Sequence, residues 1–195
     1  ITGIFETALG LIVCTERTYW RVLGVNPNFD VEKIIVGIGA VGARSTGISR
    51  HVGWAMDEDG VRLYDLQQTY KISELIRDKF DDITRSTITD AHTHHLTKDN
   101  AMFFFNKDSS GNYTNIFVWQ YVLDKVSQGQ WSTMSLPGSV NIQDAQEVED
   151  ANGDTKLYAG GDDGMVYELW ADGVKNWATA TSSDDLTTRI IHPYI

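Results

Sequence analysis

Residues 52–64 read VGWAMDEDGVRLY, and residues 157–169 read LYAGGDDGMVYEL. Each stretch has two runs of apolar and β-forming residues, separated by a turn that contains Asp-Gly. Asp-Gly is common in hairpin turns because glycine readily adopts the positive φ that these turns require. Each stretch therefore predicts a β-hairpin, and the similarity of the two predicts a repeated structural unit.

Two further pairs of runs predict the same unit. Leu11–Thr15 and Thr18–Leu23 flank the short link Glu16-Arg17, and Ala101–Phe105 and Ile116–Tyr121 flank a polar loop. The four hairpins begin near residues 11, 52, 101 and 156, so they are spaced by 41, 49 and 55 residues. A period of about 40–50 residues is typical of propeller blades. A single hairpin cannot bury both of its faces, whereas stacked blades can.

We therefore predict an all-β fold, a β-propeller-like repeat of antiparallel blades over residues 1–195. The predicted blades, about four in number by this period, lie near 9–38, 40–76, 85–135 and 139–170. Candidate outer strands are 29–36, 130–134 and 139–145. A short amphipathic helix is predicted over Ile72–Phe80, with Leu75 on its apolar face and Ser73 as a candidate cap. Both ends of the chain look like cuts inside a longer polypeptide.

The composition is strongly acidic, with 27 acidic against 16 basic residues and a net charge of −11. Such a surface repels phosphate, so tight binding to nucleic acid or to anionic lipid is disfavoured, although DNA could pass as cargo. The hydrophobic fraction of 42% is sufficient for a packed core. No apolar run approaches the roughly 20 residues that a membrane-spanning helix needs. The single cysteine, Cys14, lies in an apolar run and is expected to be a buried thiol.

The strongest chemical motif is Asp90-Ala91-His92-Thr93-His94-His95. Alternate residues on a strand point to one face, so His92 and His94 could share a metal ion, with Asp90 as a third candidate ligand. The string DAHTH is similar to the metal-binding motif of amidohydrolases. The strand–helix alternation of their barrel is absent here, and the only other histidines are His51 and His192. We therefore predict no metal site, no cofactor and no catalytic residues, with Asp90, His92 and His94 as the remaining candidates.

Three other patterns favour structural roles. Gly37–Gly42 reads G-x-G-x-x-G, but the residues that follow have poor helix character, so a turn between blades is favoured over a dinucleotide loop. The acidic runs at 57–60 and 162–164 lack the ligand spacing of a calcium loop and fit hairpin turns. Four aromatic residues in the hairpins are expected to pack between blades: Trp20, Tyr64, Trp119 and Tyr167.

A family resemblance extends over most of the chain, from about residue 9 to residue 170. It is carried by LIVCTERTYWRVLG (11–24), IGAVGARST (38–46), WAMDEDGVRLYD (54–65), KISELI (71–76), MFFFNKD (102–108), FVWQYVLDKVSQGQWSTM (117–134) and KLYAGGDDGMVYELW (156–170). These segments resemble the propeller domain of tail proteins from short-tailed phages, the tail hub or stabilisation proteins and the nozzle-type proteins. DLQQT after Tyr64 departs from the pattern, which usually has a glycine-containing turn there.

This resemblance implies a non-enzymatic structural component of a virion tail. It implies a ring of identical subunits, often six, that extends or seals the head–tail channel for DNA ejection. The implied partners are further copies of the chain and neighbouring tail or portal proteins. The implied location is the virion tail, with the host cytoplasm during assembly. No catalytic residue or cofactor is implied.

Two other functions remain open from the sequence. A cellular propeller scaffold that binds a protein or a glycan would have the same fold and would use exposed aromatic residues on one rim. A metal-dependent hydrolase would use Asp90, His92 and His94. Ring formation separates the first alternative from the tail protein. The signature of the second would be stoichiometric zinc that is lost, together with activity, in a His92→Ala variant.

Overall fold

The computed structural model describes residues 1–7, 10–25, 27–49, 52–64, 69–81, 83, 87–108, 110–113, 115–122, 125–134, 141–170 and 189–191. Within these residues the regular structure is mostly antiparallel β, arranged in four four-stranded sheets. In every sheet the strands lie side by side in the order in which they occur along the chain. The all-β prediction is confirmed.

The four sheets follow one another along the chain. Sheet 1 consists of β1 (Gly3–Thr7), β2 (Gly10–Cys14), β3 (Thr18–Val25) and β4 (Asn28–Val36). Sheet 2 consists of β5 (Thr46–Ser49), β6 (Val52–Asp57), β7 (Gly60–Tyr64) and β8 (Thr69–Lys71). Sheet 3 consists of β9 (His92–Leu96), β10 (Ala101–Asn106), β11 (Asn115–Val122) and β12 (Lys125–Met134). Sheet 4 consists of β13 (Ile142–Glu149), β14 (Thr155–Gly161), β15 (Val166–Leu169) and β16 (Arg189–Ile191).

The four predicted hairpins form the middle of the four sheets. They are β2–β3, β6–β7, β10–β11 and β14–β15. The strand predicted at 29–36 is β4, and the one at 130–134 is the end of a longer strand, β12. The strand predicted at 139–145 overlaps β13, and residues 139 and 140 lie outside the described residues. Sequence patterning did not reveal the outer strands β1, β5, β8 and β16, which are short or flanked by glycine.

The turn between β6 and β7 shows why glycine is required there. Asp57 pairs with Gly60, which adopts a φ of +149°. A Cβ atom at Gly60 would lie 2.0 Å from Ser73 Oγ. That hydroxyl instead accepts a hydrogen bond from the Val61 amide at 2.9 Å. Ser73 therefore anchors the hairpin and is not the helix cap that its position predicted.

The predicted helix is a 3₁₀ turn at Ser73–Ile76 that continues into α1 (Arg77–Asp81). Ile72 and Phe80 are buried against sheet 2, as the apolar spacing predicted. Leu75 is 79% exposed, so the prediction that it lies on the apolar face was wrong. The segment is a 3₁₀ turn joined to a short α-helix and not one continuous α-helix, so the α-helical spacing that placed residue 75 on the apolar face does not apply.

Three apolar clusters lie between consecutive sheets. Phe5, Ile12 and Tyr19 of sheet 1 pack with Ala55 and Tyr64 of sheet 2. The second cluster joins sheets 2 and 3 and contains Val52, Trp54, Met56, Val61, Leu63, Met102, Phe104, Phe117 and Trp119. The third joins sheets 3 and 4 and contains Phe103, Phe105, Ile116, Val118, Ile142, Leu157, Tyr167 and Leu169. The sheets are therefore stacked, with a layer of side chains between each neighbouring pair.

Strand β10 connects two of these layers. All six of its residues are buried, which is the burial pattern of a strand covered on both faces. Phe104 belongs to the cluster with sheet 2, whereas Phe103 and Phe105 belong to the cluster with sheet 4. The continuous apolar run AMFFF follows from this, because an alternating run would leave one face polar.

The first strands of the sheets also form a series in space. β5 packs against β1, β9 packs against β5, and β13 packs against β9. Gly3 and Thr46 show how close two of these strands come, because a Cβ at Gly3 would lie 2.5 Å from Thr46 Cγ2. The first strand of each sheet thus lies next to the first strand of the following sheet.

Candidate functional site

The motif around residue 92 lies on β9, the first strand of sheet 3. In the pairing of β9 with β10, His92 is opposite Phe105 and His94 is opposite Phe103, so both histidines face sheet 4. His92 Nδ1 lies 3.0 Å from His94 Nε2. The prediction that the strand period brings these two side chains together is confirmed.

A carboxylate from sheet 4 completes the cluster. Asp144 Oδ1 lies 3.3 Å from His94 Nε2, and one donor atom from each of His92, His94 and Asp144 lies within 4.8 Å of the others. We call these three residues the His–His–Asp cluster. Two imidazoles and a carboxylate are a ligand set that zinc and similar divalent ions accept.

The position of Asp144 depends on a β-bulge in β13. Ile142 pairs with Gly161 and Asp144 pairs with Gly160, so Gln143 is the extra residue. Bulges redirect side chains and are over-represented near functional sites. Arg44 contacts both residues of the bulge. Its Nη2 donates to the Gln143 carbonyl at 2.9 Å, and its Nη1 lies 3.8 Å from Asp144 Oδ2.

His92 is completely buried within an aromatic environment. Its ring stacks on Phe105 with a centroid separation of 4.5 Å and meets Tyr113 edge-on at 4.7 Å. Its Nε2 atom has no hydrogen-bond partner among the described residues. The cluster becomes more accessible toward sheet 4, since the side chains of His94 and Asp144 are 18% and 66% exposed.

Both histidines are neutral at physiological pH. Burial, together with the nearby charges of His94, Arg44 and Lys107, lowers the pKa of His92 from its ordinary 6.5 to about 3. Burial likewise lowers the pKa of His94 to about 4, although the Asp144 carboxylate partly opposes this shift. Neutral imidazole is the form that binds metal ions.

The third candidate from the sequence, Asp90, lies away from the cluster. Its carboxylate accepts a hydrogen bond from Lys107 Nζ at 2.7 Å, and its carbonyl accepts one from the Tyr113 hydroxyl at 2.6 Å. Sequence reasoning missed Asp144, which is 50 residues beyond His94. The bulge and the pairing of sheets bring it close, and neither leaves a clear local signal.

The other face of β9 points toward sheet 2 and has ordinary hydrogen bonding. Trp54 Nε1 donates to Thr93 Oγ1 at 3.0 Å. His95 Nε2 lies 2.9 Å from the Tyr121 hydroxyl, which in turn lies 3.1 Å from Ser49 Oγ. This side of the strand is therefore a set of hydrogen-bonded polar groups within an apolar layer.

The glycine motif at 37–42 is a tightly packed connection between sheets 1 and 2. A Cβ at Gly39 would lie 2.0 Å from the Thr15 carbonyl oxygen, and one at Gly42 would lie 2.1 Å from the Thr89 carbonyl oxygen. These glycines are needed because backbone atoms approach closely. No helix begins there, which agrees with the expectation of a turn.

Aspartates in the two acidic turns have hydrogen-bond and ion-pair partners within the protein. Asp57 Oδ1 accepts the Asp59 amide at 2.8 Å, and its Oδ2 accepts Arg62 Nε at 2.7 Å. Asp59 Oδ2 contacts Arg62 and Lys71 at 3.0 and 2.9 Å. In the second turn, Asp163 accepts hydrogen bonds from the Met165 amide and from the Tyr167 hydroxyl. Both turns are explained without a metal ion.

The remaining sequence candidates have structural roles. Tyr64, Trp119 and Tyr167 lie in three different core clusters, so they do not form one binding surface. Trp20 is partly exposed, and Lys33 Nζ lies 4.7 Å from the centre of its ring. Cys14 is fully buried, and burial raises the pKa of its thiol to about 12, which keeps it protonated. His51 and His192 lie outside the described residues.

No family model and no curated protein matches the chain. The helices in the described part of the chain are too short or too polar to cross a membrane. The function is therefore argued from the arrangement of the sheets and from the cluster on β9.

Proposed function

We propose that the chain is a β-propeller-type domain with a structural role in a phage tail, where copies of it form a ring around the path of the DNA. The observation that carries the proposal is the succession of four-stranded meanders whose first strands, β1, β5, β9 and β13, pack in series. Propellers are built from four-stranded sheets around a central channel, with one strand of each blade nearest the axis.

The packing between the sheets supports the same architecture. Each neighbouring pair of sheets shares its own apolar cluster, and the cluster members alternate along the strands that they share. Repeats of this kind gain most of their stability from contacts with their immediate neighbours.

The free face of sheet 1 supports assembly with other subunits. Ile4, Leu11, Phe29 and Val31 are 55%, 38%, 59% and 57% exposed. They lie on the face opposite Phe5 and Ile12, which pack against sheet 2. Several exposed apolar side chains on one face of a sheet are typical of an interaction site. In the proposed ring this face is covered by a neighbouring subunit.

Two arguments besides the fold support the assignment to a phage tail. One is the resemblance of residues 9–170 to the propeller domain of short-tailed phage tail proteins. The other is the net charge of −11, because acidic walls repel the DNA backbone and let DNA slide without binding.

The test is negative-stain electron microscopy of the full-length protein, with rotational symmetry measured from class averages. We expect closed rings of several copies with a central hole that admits duplex DNA. The Ile4→Glu/Leu11→Glu variant should shift the population from rings to smaller species while the circular dichroism spectrum is unchanged. Monomers at every protein concentration, with or without the substitutions, would contradict the ring and favour a binding module.

A further inference from the structure

We infer that His92, His94 and Asp144 form a binding site for a divalent transition-metal ion of the zinc type, which links sheet 3 to sheet 4. The three side chains come from β9 and β13, the first strands of the two sheets. A metal ion held by all three would therefore tie together two repeats at neighbouring strands. This site is independent of the proposed role of the protein in a phage tail.

The distances fit a shared ion. Zinc bonds to imidazole nitrogen and to carboxylate oxygen are about 2.0–2.2 Å long, so the ligand atoms of a tetrahedral site are roughly 3.3–3.6 Å apart. The observed separations are 3.0 Å between the two histidine nitrogens and 3.3 Å between His94 Nε2 and Asp144 Oδ1. All three atoms lie within 4.8 Å of one another, so small rotations of the exposed Asp144 side chain complete the geometry.

Hydrogen bonding alone does not satisfy the cluster. His94 Nε2 faces both His92 Nδ1 and the Asp144 carboxylate. Each of the two neutral imidazole rings carries a single N–H proton. If His92 carries its proton on Nδ1 and donates it to His94 Nε2, the lone pair of that His94 nitrogen also faces an anionic oxygen at 3.3 Å. If His94 carries its own proton on Nε2 instead, that single N–H faces two acceptors, His92 Nδ1 and the Asp144 carboxylate. A cation accepts all three lone pairs at once.

The surroundings have the features of a second layer around a metal site. Arg44 Nη1 lies near Asp144 Oδ2, which leaves Oδ1 directed toward the histidines. The ring of His92 is fixed between Phe105 and Tyr113. Groups that orient ligands in this way typically affect metal affinity by about 10–100-fold. Three protein ligands leave a fourth position for water, and the exposure of Asp144 places that position toward solvent.

The test is zinc titration of the untagged, EDTA-treated full-length protein, followed by isothermal calorimetry and by the cobalt absorption spectrum. We expect one zinc per chain and a rise in melting temperature upon zinc addition. His94→Ala, which removes a direct ligand, and Asp144→Asn, which replaces the anionic carboxylate by a weakly ligating neutral amide, should each weaken zinc binding at least about tenfold. Cobalt should give a tetrahedral d–d spectrum that both substitutions abolish.

Two matched controls separate the site from a general effect of the substitutions. Asp90→Asn makes the same chemical change in the acid of the sequence motif, and His95→Gln removes the adjacent histidine, which faces sheet 2. Both should bind zinc within about threefold of the unsubstituted protein, a difference well below the effect of losing a ligand. Absence of stoichiometric zinc, or equal binding by the Asp144→Asn and Asp90→Asn proteins, would overturn the inference.

Discussion

The two faces of strand β9 differ in the hydrogen bonding of their polar side chains. Toward sheet 2, Thr93 and His95 are paired with Trp54 and Tyr121 by hydrogen bonds. Toward sheet 4, His92 Nδ1, His94 Nε2 and the Asp144 carboxylate lie close together, and the N–H groups of the two neutral imidazoles cannot supply a hydrogen bond to every acceptor among them. Both faces lie against an apolar cluster, and the contrast is between their polar groups. Buried polar groups without partners are costly, and they are retained where they have a function.

The largest expected effect tests whether the apolar layers on the two sides of sheet 3, toward sheet 2 and toward sheet 4, contribute equally to stability. Phe103 and Phe104 are both fully buried on β10 and point to opposite layers, where their rings lie 5.5 Å from Trp170 and Trp131. Each Phe→Ala substitution should reduce the free energy of unfolding by about 3–5 kcal/mol. Urea denaturation measures both values. A much smaller loss for Phe103→Ala would show that the layer between sheets 3 and 4 is packed less tightly.

The next effect distinguishes the faces by pH in EDTA-treated protein. His92 and His94 have folded-state pKa values of about 3 and 4, below their ordinary 6.5, because they are buried. Between pH 6.5 and 4 the unfolded chain binds protons that the folded chain does not, so stability is lost as the pH falls. Each histidine contributes up to about 1.4 kcal/mol per pH unit.

The measurement is urea denaturation at several pH values from 7 to 5. The control is the His92→Phe/His94→Phe variant, which retains every other titrating group and should show a shallower decline by the contribution of these two histidines. Equal slopes in the two proteins would mean that burial of this cluster does not control acid sensitivity.

The smallest effect compares one polar group from each face, again without metal. Tyr121→Phe removes a hydroxyl that contacts His95 and Ser49, so it should cost about 1 kcal/mol of unfolding free energy. Asp144→Asn changes a carboxylate that is mostly exposed, and it should alter stability by no more than about 0.5 kcal/mol. Chemical denaturation of both variants gives the comparison. A larger loss for Asp144→Asn would mean that the cluster is stabilising by itself.

The sequence was informative where the pattern is local. The Asp-Gly turns and the apolar runs predicted the four central hairpins, since turn chemistry and strand period act over a few residues. The strand period also predicted that His92 and His94 share a face. Contacts between sheets were not predictable in this way. Asp144 reaches the histidines through a bulge at Gln143, and Ser73 bonds to a hairpin rather than to its helix.

The order of the strands within the sheets has a consequence for synthesis. Because every strand pairs with its neighbour in the chain, each sheet can form from local contacts soon after its own segment leaves the ribosome. Each apolar layer then forms when the following sheet arrives, in the direction from sheet 1 to sheet 4. Strand β10, with both faces apolar, is exposed on one side until sheet 4 is made. In the interval between these two steps the exposed apolar face makes the nascent chain prone to aggregation.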